Sequence, residues 1–157
     1  ARNAEFVEGL GCYDVVLPYE DVSSLPAGDA AVFVDHAGDA AVVAAVHRHF
    51  GDDLRHSAII GATHWDRGGP AKGLPGPPPT FFFAPTQLEK RRAEWGGAAF
   101  DERLGEAWRG FLSFARGWLH VVRGNGEAAV LAAYRAVLEG RARPEEGHVL
   151  SLWERAA

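Results

Sequence analysis

Seven histidines are spread over this 157-residue chain, and two fall where an α/β protein keeps its chemistry. His36 follows the apolar run AAVFVD (Ala30–Asp35), and His64 follows SAIIGA (Ser57–Ala62) and one threonine. Short runs rich in β-branched residues read as buried parallel strands. If the two strands are neighbours, both imidazoles stand at strand ends that open on one cleft, and imidazole exchanges protons near neutral pH. The plainer alternative is that each ring bonds a nearby backbone group. Zinc is not expected, because no third protein ligand accompanies them.

Other chemistry-bearing residues are weaker signals. His47 and His49 are two apart on a helix, so they point about 200° away from one another and cannot grip one ion. They read as two half-exposed helix residues. Gly124-Asn125-Gly126 with Ala129 mimics a dinucleotide fingerprint, but the residues before it carry helical spacing and Glu127 would put an anion beside the phosphates. A helix–helix turn is the expectation there. Lys90-Arg91-Arg92 could clamp an anion, and a solvated helix face explains the run better. Ser23, Ser24 and Ser57 lack any G-x-S-x-G context. Cys12 is the single cysteine, which rules out an internal disulfide and reads as a small buried hydrophobe.

The stretch Ala30–Trp65 must position the two histidines. After the first strand, Asp39 is placed to cap a helix. Val42, Val46 and Phe50 recur every four residues on one face of it, with Val43 beside them, and Gly51 suits a left-handed stop. Strand, helix and strand within roughly 35 residues is the size of a βαβ crossover. Ligands of open parallel sheets sit at the carboxyl ends of strands, here Asp35, His36, Ala37 and Gly38 and then Gly61, Ala62, Thr63 and His64. A nucleotide-type ligand is the expectation.

Around that unit, Arg2–Leu10 reads as a short helix and Asp14–Leu17 as a brief strand ended by Pro18. Residues 66–79 hold five prolines and four glycines and read as a surface loop. Phe81-Phe82-Phe83 is too apolar for solvent and reads as a strand, packed or used in an interface. Thr86 and Glu89 form a capping-box pattern before LEKRRAEW. Residues 100–139 read as helical, first Phe100–Val122 with its many aromatics, then Glu127–Glu139. His148–Leu152 is a closing strand. The fold class is therefore α/β, a parallel sheet with extra C-terminal helices. The whole chain is one domain's length.

Composition excludes several classes. No apolar run approaches the roughly 20 residues that span a bilayer, and a formal net charge of −5 disfavours a nucleic-acid partner. A cytoplasmic protein fits best. The chain opens Ala1-Arg2-Asn3 and has no methionine, which reads as a piece of something longer.

LGCYDVVLPYED, AVFVDHAGDAAV and AIIGATHW follow the order of the medium-chain dehydrogenase/reductase superfamily, in its zinc-independent, quinone-reductase-like branch. FVEGLG-YD, THW, FFFAPTQ-EKR and P-EGHVLSL resemble more closely an uncharacterised bacterial and fungal family distantly related to that branch. The resemblance implies the C-terminal portion of a Rossmann-like domain that lacks its first strands and the phosphate loop, the missing N-terminal part being a partner in the same protein. It implies NADP as cofactor, with Arg2 and Asn3 in the loop that reads the adenosine ribose and Tyr19 approaching the 2′-phosphate. Asp35–Gly38 and Gly61–Thr63 would line the nicotinamide, and His64 would stand near the reacting centre. The strand at Phe81–Phe83 would pair two copies into a homodimer, and Leu150-Ser151-Leu152 would return toward the missing domain. Reduction of a small quinone, enone or carbonyl is the activity implied. The alternative is a Rossmann-like binding or scaffolding module without turnover. His64 and Trp65 are bulkier than the small residues relatives carry there, and the long aromatic helix is foreign to the ordinary plan.

Overall fold

Branched side chains crowd a helix and suit a pleated strand, and in the computed structural model Ala31–Asp35 is strand β1. The structure describes residues 3–69 and 73–153, the side chain of Trp65 excepted. Contacts divide the chain into two compact units, one of Asp14–Glu94 and one of Glu5–Tyr13 with residues 95–153.

In the first unit, helix α2 (Ala40–Phe50) follows β1. Asp39 Oδ1 accepts the N–H groups of Ala41 and Val42 at 2.9 and 3.3 Å, and Gly51 ends the helix with φ of 50°. A single 3₁₀ turn at Gly51–Asp53 then reverses the chain, so strand β2 spans Leu54–Ile59 and starts three residues ahead of the expected Ser57. β1 and β2 pair in parallel, with Asp35 opposite Ile59. Strand β3 (Thr80–Phe81) adds to the other edge of β2, also parallel, giving the order β1-β2-β3. The α/β class with short parallel sheets is thus what the chain adopts.

β1 is covered on one face only. The Phe33 ring meets His47 of α2 edge-on at 6.4 Å, while Val32 and Val34 on the opposite face are 64% and 45% exposed. His47 itself is fully buried, which corrects the half-exposed expectation. Its Nδ1–H donates to the carbonyl of Pro75 at 2.9 Å, so in the neutral ring Nε2 accepts from the Ser57 hydroxyl, also at 2.9 Å. A carbonyl has no proton to give, and that fixes the direction of both bonds. The ring ties helix, strand and proline-rich loop together. His49 goes elsewhere, to the carbonyl of Leu25 at 2.8 Å.

Four local expectations fail, wholly or in part, in the flanking segments. Asp14–Leu17 forms no strand; Pro18 removes a ladder donor, and a 3₁₀ turn (Tyr19–Ser24) starts directly after it. Cys12 is exposed rather than buried. Helix α3 spans Ala84–Trp95, so Thr86 and Glu89 lie inside it and cannot box its start. Pro85 in the first turn, where a missing N–H costs nothing, is the true start signal. The Phe81–Phe83 strand shrinks to Thr80–Phe81, although the Phe82 N–H still reaches the carbonyl of Ile59 at 2.9 Å.

The second unit holds helix α1 (Ala4–Gly9, from Glu5 onward), whose Phe6 ring meets Trp118 edge-on at 5.8 Å. Helix α4 (Gly97–Ala115) carries the expected aromatic stripe but stops well short of Val122. Residues 116–118 turn, and His120–Asn125 is strand β4, paired in parallel with β5 (Glu146–Ser151). Helix α5 (Gly126–Leu138) connects them. The reading of 100–139 as two helices joined by a turn is therefore wrong at its centre, where His120–Asn125 is a strand, and Gly124–Gly126 is a strand-to-helix turn, not a helix–helix turn.

Candidate functional site

The tips of β1 and β2 stay paired beyond the last strand residues. The carbonyl of Asp35 accepts the N–H groups of Ile60 (2.8 Å) and Gly61 (3.2 Å), that of His36 accepts Thr63 (3.4 Å), and that of Ala37 accepts His64 (2.7 Å). Asp35 is buried, and its Oδ1 accepts from Ala37 and Gly38 N–H at 3.0 Å each. A carboxylate taken from water needs such donors. The turn after β1 is thereby drawn tightly under the tip of β2.

Glycine is required at two points of this contact. A Cβ on Gly61 would lie 2.6 Å from the carbonyl oxygen of His36. One on Gly38 would lie 2.9 Å from Ala62 Cα, and Gly38 has φ of +72° besides. The opposing atoms are backbone and cannot swing aside. Beside the tips lies a cavity of about 210 Å³ bordered by Asp35, Gly38, Val43, Ile59, Gly61 and Ala62. That is below the roughly 300 Å³ at which drug-sized pockets begin, so it admits a ring-sized group rather than a whole dinucleotide.

A polar cluster stands next to it. The second oxygen of Asp39 is 3.5 Å from the Arg67 guanidinium and 4.0 Å from Nδ1 of His64. Burial pushes the Asp39 carboxyl up, but the N–H groups of Ala41 and Val42 and the charge of Arg67 outweigh it and hold the group below its ordinary value. Nδ1 of His64 is shielded from solvent and has no hydrogen-bond partner, while the side chain as a whole is 39% exposed. The Tyr19 ring lies edge-on to His64 at 6.4 Å between centroids.

The structure therefore brings together Asp35, His36, Ala37, Gly38, Gly61, Ala62, Thr63 and His64, with Tyr19 beside them. His36 is exposed at the rim, joined to the other tip through its carbonyl. Asn3 is exposed just ahead of α1; Arg2 lies outside the described residues. Sequence reasoning saw Asp39 only as a helix cap and did not single out Arg67. Their meeting with His64 joins positions more than twenty residues apart, and no local pattern announces it. No group of three His, Cys, Asp or Glu able to hold a metal occurs among the described residues.

The second strand-to-helix turn gives a contrasting geometry. A cavity of about 190 Å³ lies against Arg123, Gly124, Asn125, Val149, Leu150 and Ser151. Gly126 has φ of +81°, and the space over Gly124 is taken by Ala129 and Leu150 side chains. Glu127 sits in the first turn of α5, and Asn125 makes no side-chain bond to cap it. That charge opposes a phosphate at this helix start.

The family model described as "Protein of unknown function (DUF2855)" matches residues 1–143, and the chain belongs to that family. No curated protein and no solved structure matches it. No helix among the described residues is long and apolar enough to cross a membrane.

Proposed function

We propose that this chain is the later part of the cofactor domain of an NADP-linked, zinc-independent oxidoreductase of the medium-chain reductase type, acting on a small quinone, enone or carbonyl. The observation that carries the reading is the pair of adjoining parallel strand tips, Asp35–Gly38 and Gly61–His64, packed so closely that two glycines are obligatory. Strand tips of an open parallel sheet are where such ligands bind. The cavity beside them takes a ring such as nicotinamide, and the residues present fit that half of the cofactor. When bound, the cofactor supplies the hydride. The chain's own part is to hold the ring at Gly38 and Gly61, exclude water with Val43 and Ile59, and offer His64 as the proton-bearing group at the rim. Arg2 is assigned to the 2′-phosphate, on the resemblance, whereas Tyr19, its ring 6.4 Å from that of His64, is too near the reacting centre to share that role.

Phe81 and Phe83 stack at 6.4 Å on the β3 edge and are 70% and 54% exposed. An exposed apolar edge of that kind favours pairing with a second copy.

The test is a fluorescence titration of the full-length protein with NADPH and NADH. Saturation in the micromolar range with NADPH is the expected result, and Arg2→Ala is expected to weaken NADPH far more than NADH. Equal weakening refutes Arg2 as a phosphate reader. Failure to bind either nucleotide refutes the proposal in favour of the scaffolding alternative.

A further inference from the structure

Asp39 does two jobs with its two oxygens. Oδ1 caps α2 through Ala41 and Val42, while Oδ2 faces His64 and Arg67. The histidine it faces is unusual in one respect. A third of its side chain or more meets solvent, yet its Nδ1 does not and finds no hydrogen-bond partner. The side chain's exposure therefore lies away from Nδ1, and Nε2 is not among the buried unpartnered atoms. An imidazole with one nitrogen turned inward toward a carboxylate and the other turned outward has the layout of a proton donor backed by an orienting acid.

Resting on the reading of this cleft as a reductase site, we propose that Asp39 is the positioning residue for His64. Its carboxylate holds the proton on Nδ1 and leaves Nε2 to pass a proton to the substrate. The separation of 4.0 Å is too long for a hydrogen bond, and such contacts tighten when the cleft fills. The step balances simply. Hydride reaches the substrate carbon, the carbonyl π electrons move to oxygen, and that oxygen takes the Nε2 proton of the imidazolium. The cofactor is oxidised, the substrate is reduced, and His64 is left neutral with its proton on Nδ1 beside Asp39, to be recharged from water.

The other groups facing His64 set the limits of this arrangement. Arg67, in the same turn, shares Oδ2 at 3.5 Å and is itself well exposed, so it tempers the pull of Asp39 on the ring. Tyr19, from the 3₁₀ turn, meets the ring edge-on at 6.4 Å between centroids and adds no charge. The carbonyl of Ala37 holds the His64 backbone N–H and fixes the root of the side chain.

The proposal is tested by ¹⁵N NMR of the intact protein at a pH where His64 is neutral, its resonances assigned with His64→Gln. The prediction is that the Nδ1–H tautomer dominates in the unaltered protein. Asp39→Asn keeps an oxygen to cap α2 but removes the charge, and is expected to shift the majority to the Nε2–H form. Arg67→Ala, which frees Oδ2 entirely, is expected to raise the Nδ1–H share or leave it dominant. An Nε2–H majority in the unaltered protein, or a ratio that Asp39→Asn does not change, overturns the proposal. If Asp39→Asn unfolds the chain, the Arg67→Ala comparison decides: a fall in the Nδ1–H share overturns it. The measurement needs no nucleotide. A tautomer switch in a protein that binds no NADPH would thus condemn the reductase reading while upholding the Asp39–His64 pairing.

Discussion

Two places in this chain put glycines where a parallel strand hands over to its next segment, and they differ in what the glycines meet. At Gly38 and Gly61 an added Cβ runs into backbone, with a buried carboxylate and a solvent-shielded imidazole nitrogen close by. At Gly124 it meets two side chains, and the charges at hand are Arg123 and Glu127. The second place has the spacing of a nucleotide fingerprint; the first has the convergent polar groups. Glycine spacing alone marks a tight turn, and only the surrounding donors and acceptors make a site of it.

That contrast predicts unequal substitution costs. Gly61→Ala forces a carbon against the His36 carbonyl, which only a backbone shift relieves, and is expected to cost about 1–3 kcal/mol of stability. Gly124→Ala meets the Ala129 methyl and a mobile Leu150 methyl at 3.0 Å each. Part of its cost is offset by a stiffer unfolded chain, leaving less than about 1 kcal/mol. Denaturant melts of both variants check this, and equal costs would break the comparison.

The strand-tip region is also anchored by the His47 clasp, which ties the proline-rich loop to helix and strand through a buried ring. Ser57→Ala leaves the buried Nε2 of His47 without its donor and is expected to cost about 1–2 kcal/mol. Hydrogen exchange is expected to quicken around residues 73–79 and stay unchanged around β4. Faster exchange at β4 instead would contradict the assignment of the clasp to the first unit.

The two helix starts differ as well, and acid separates them. Asp39 has its folded-state pKa below the ordinary 3.8, so the stability it adds to α2 is present above about pH 4 and is lost as pH falls through the lowered value. At the start of α5, Asn125 makes no side-chain cap bond for acid to break, and the carboxylate of Glu127 lies in the first turn without capping it. Amide exchange at α2 should therefore quicken in acid more than at α5, and Asp39→Asn should remove the difference. An acid sensitivity that survives Asp39→Asn would refute this origin.

How far the sequence foretold this depends on how local the deciding force is. β1, α2 and their junction were legible because Asp39, the four-residue apolar spacing and Gly51 act within a turn or two of themselves. β4 was not. Trp118, Leu119 and Val122 continue the helical spacing of α4, yet Trp118 closes a turn and Val122 lies in β4, held there by pairing with β5 more than twenty residues later, as tertiary context overrides a weak local preference. Gly117 and the Val121-Val122 pair were the available hints. The burial of His47 was hidden for the same reason, since its partners Ser57 and Pro75 are supplied by other segments. Of the site, the two strand tips were readable as positions, whereas the meeting of Asp39, His64 and Arg67 was not.

NADPH affinity, measured with each cavity filled in turn, tests the central claim most directly. Ala62→Phe obstructs the cleft at the β1 and β2 tips, and Ser151→Phe obstructs the cavity beside β4 and β5. The account predicts that Ala62→Phe abolishes micromolar binding while Ser151→Phe leaves it within about twofold, roughly 0.4 kcal/mol. Binding that survives Ala62→Phe and is lost in Ser151→Phe would contradict it.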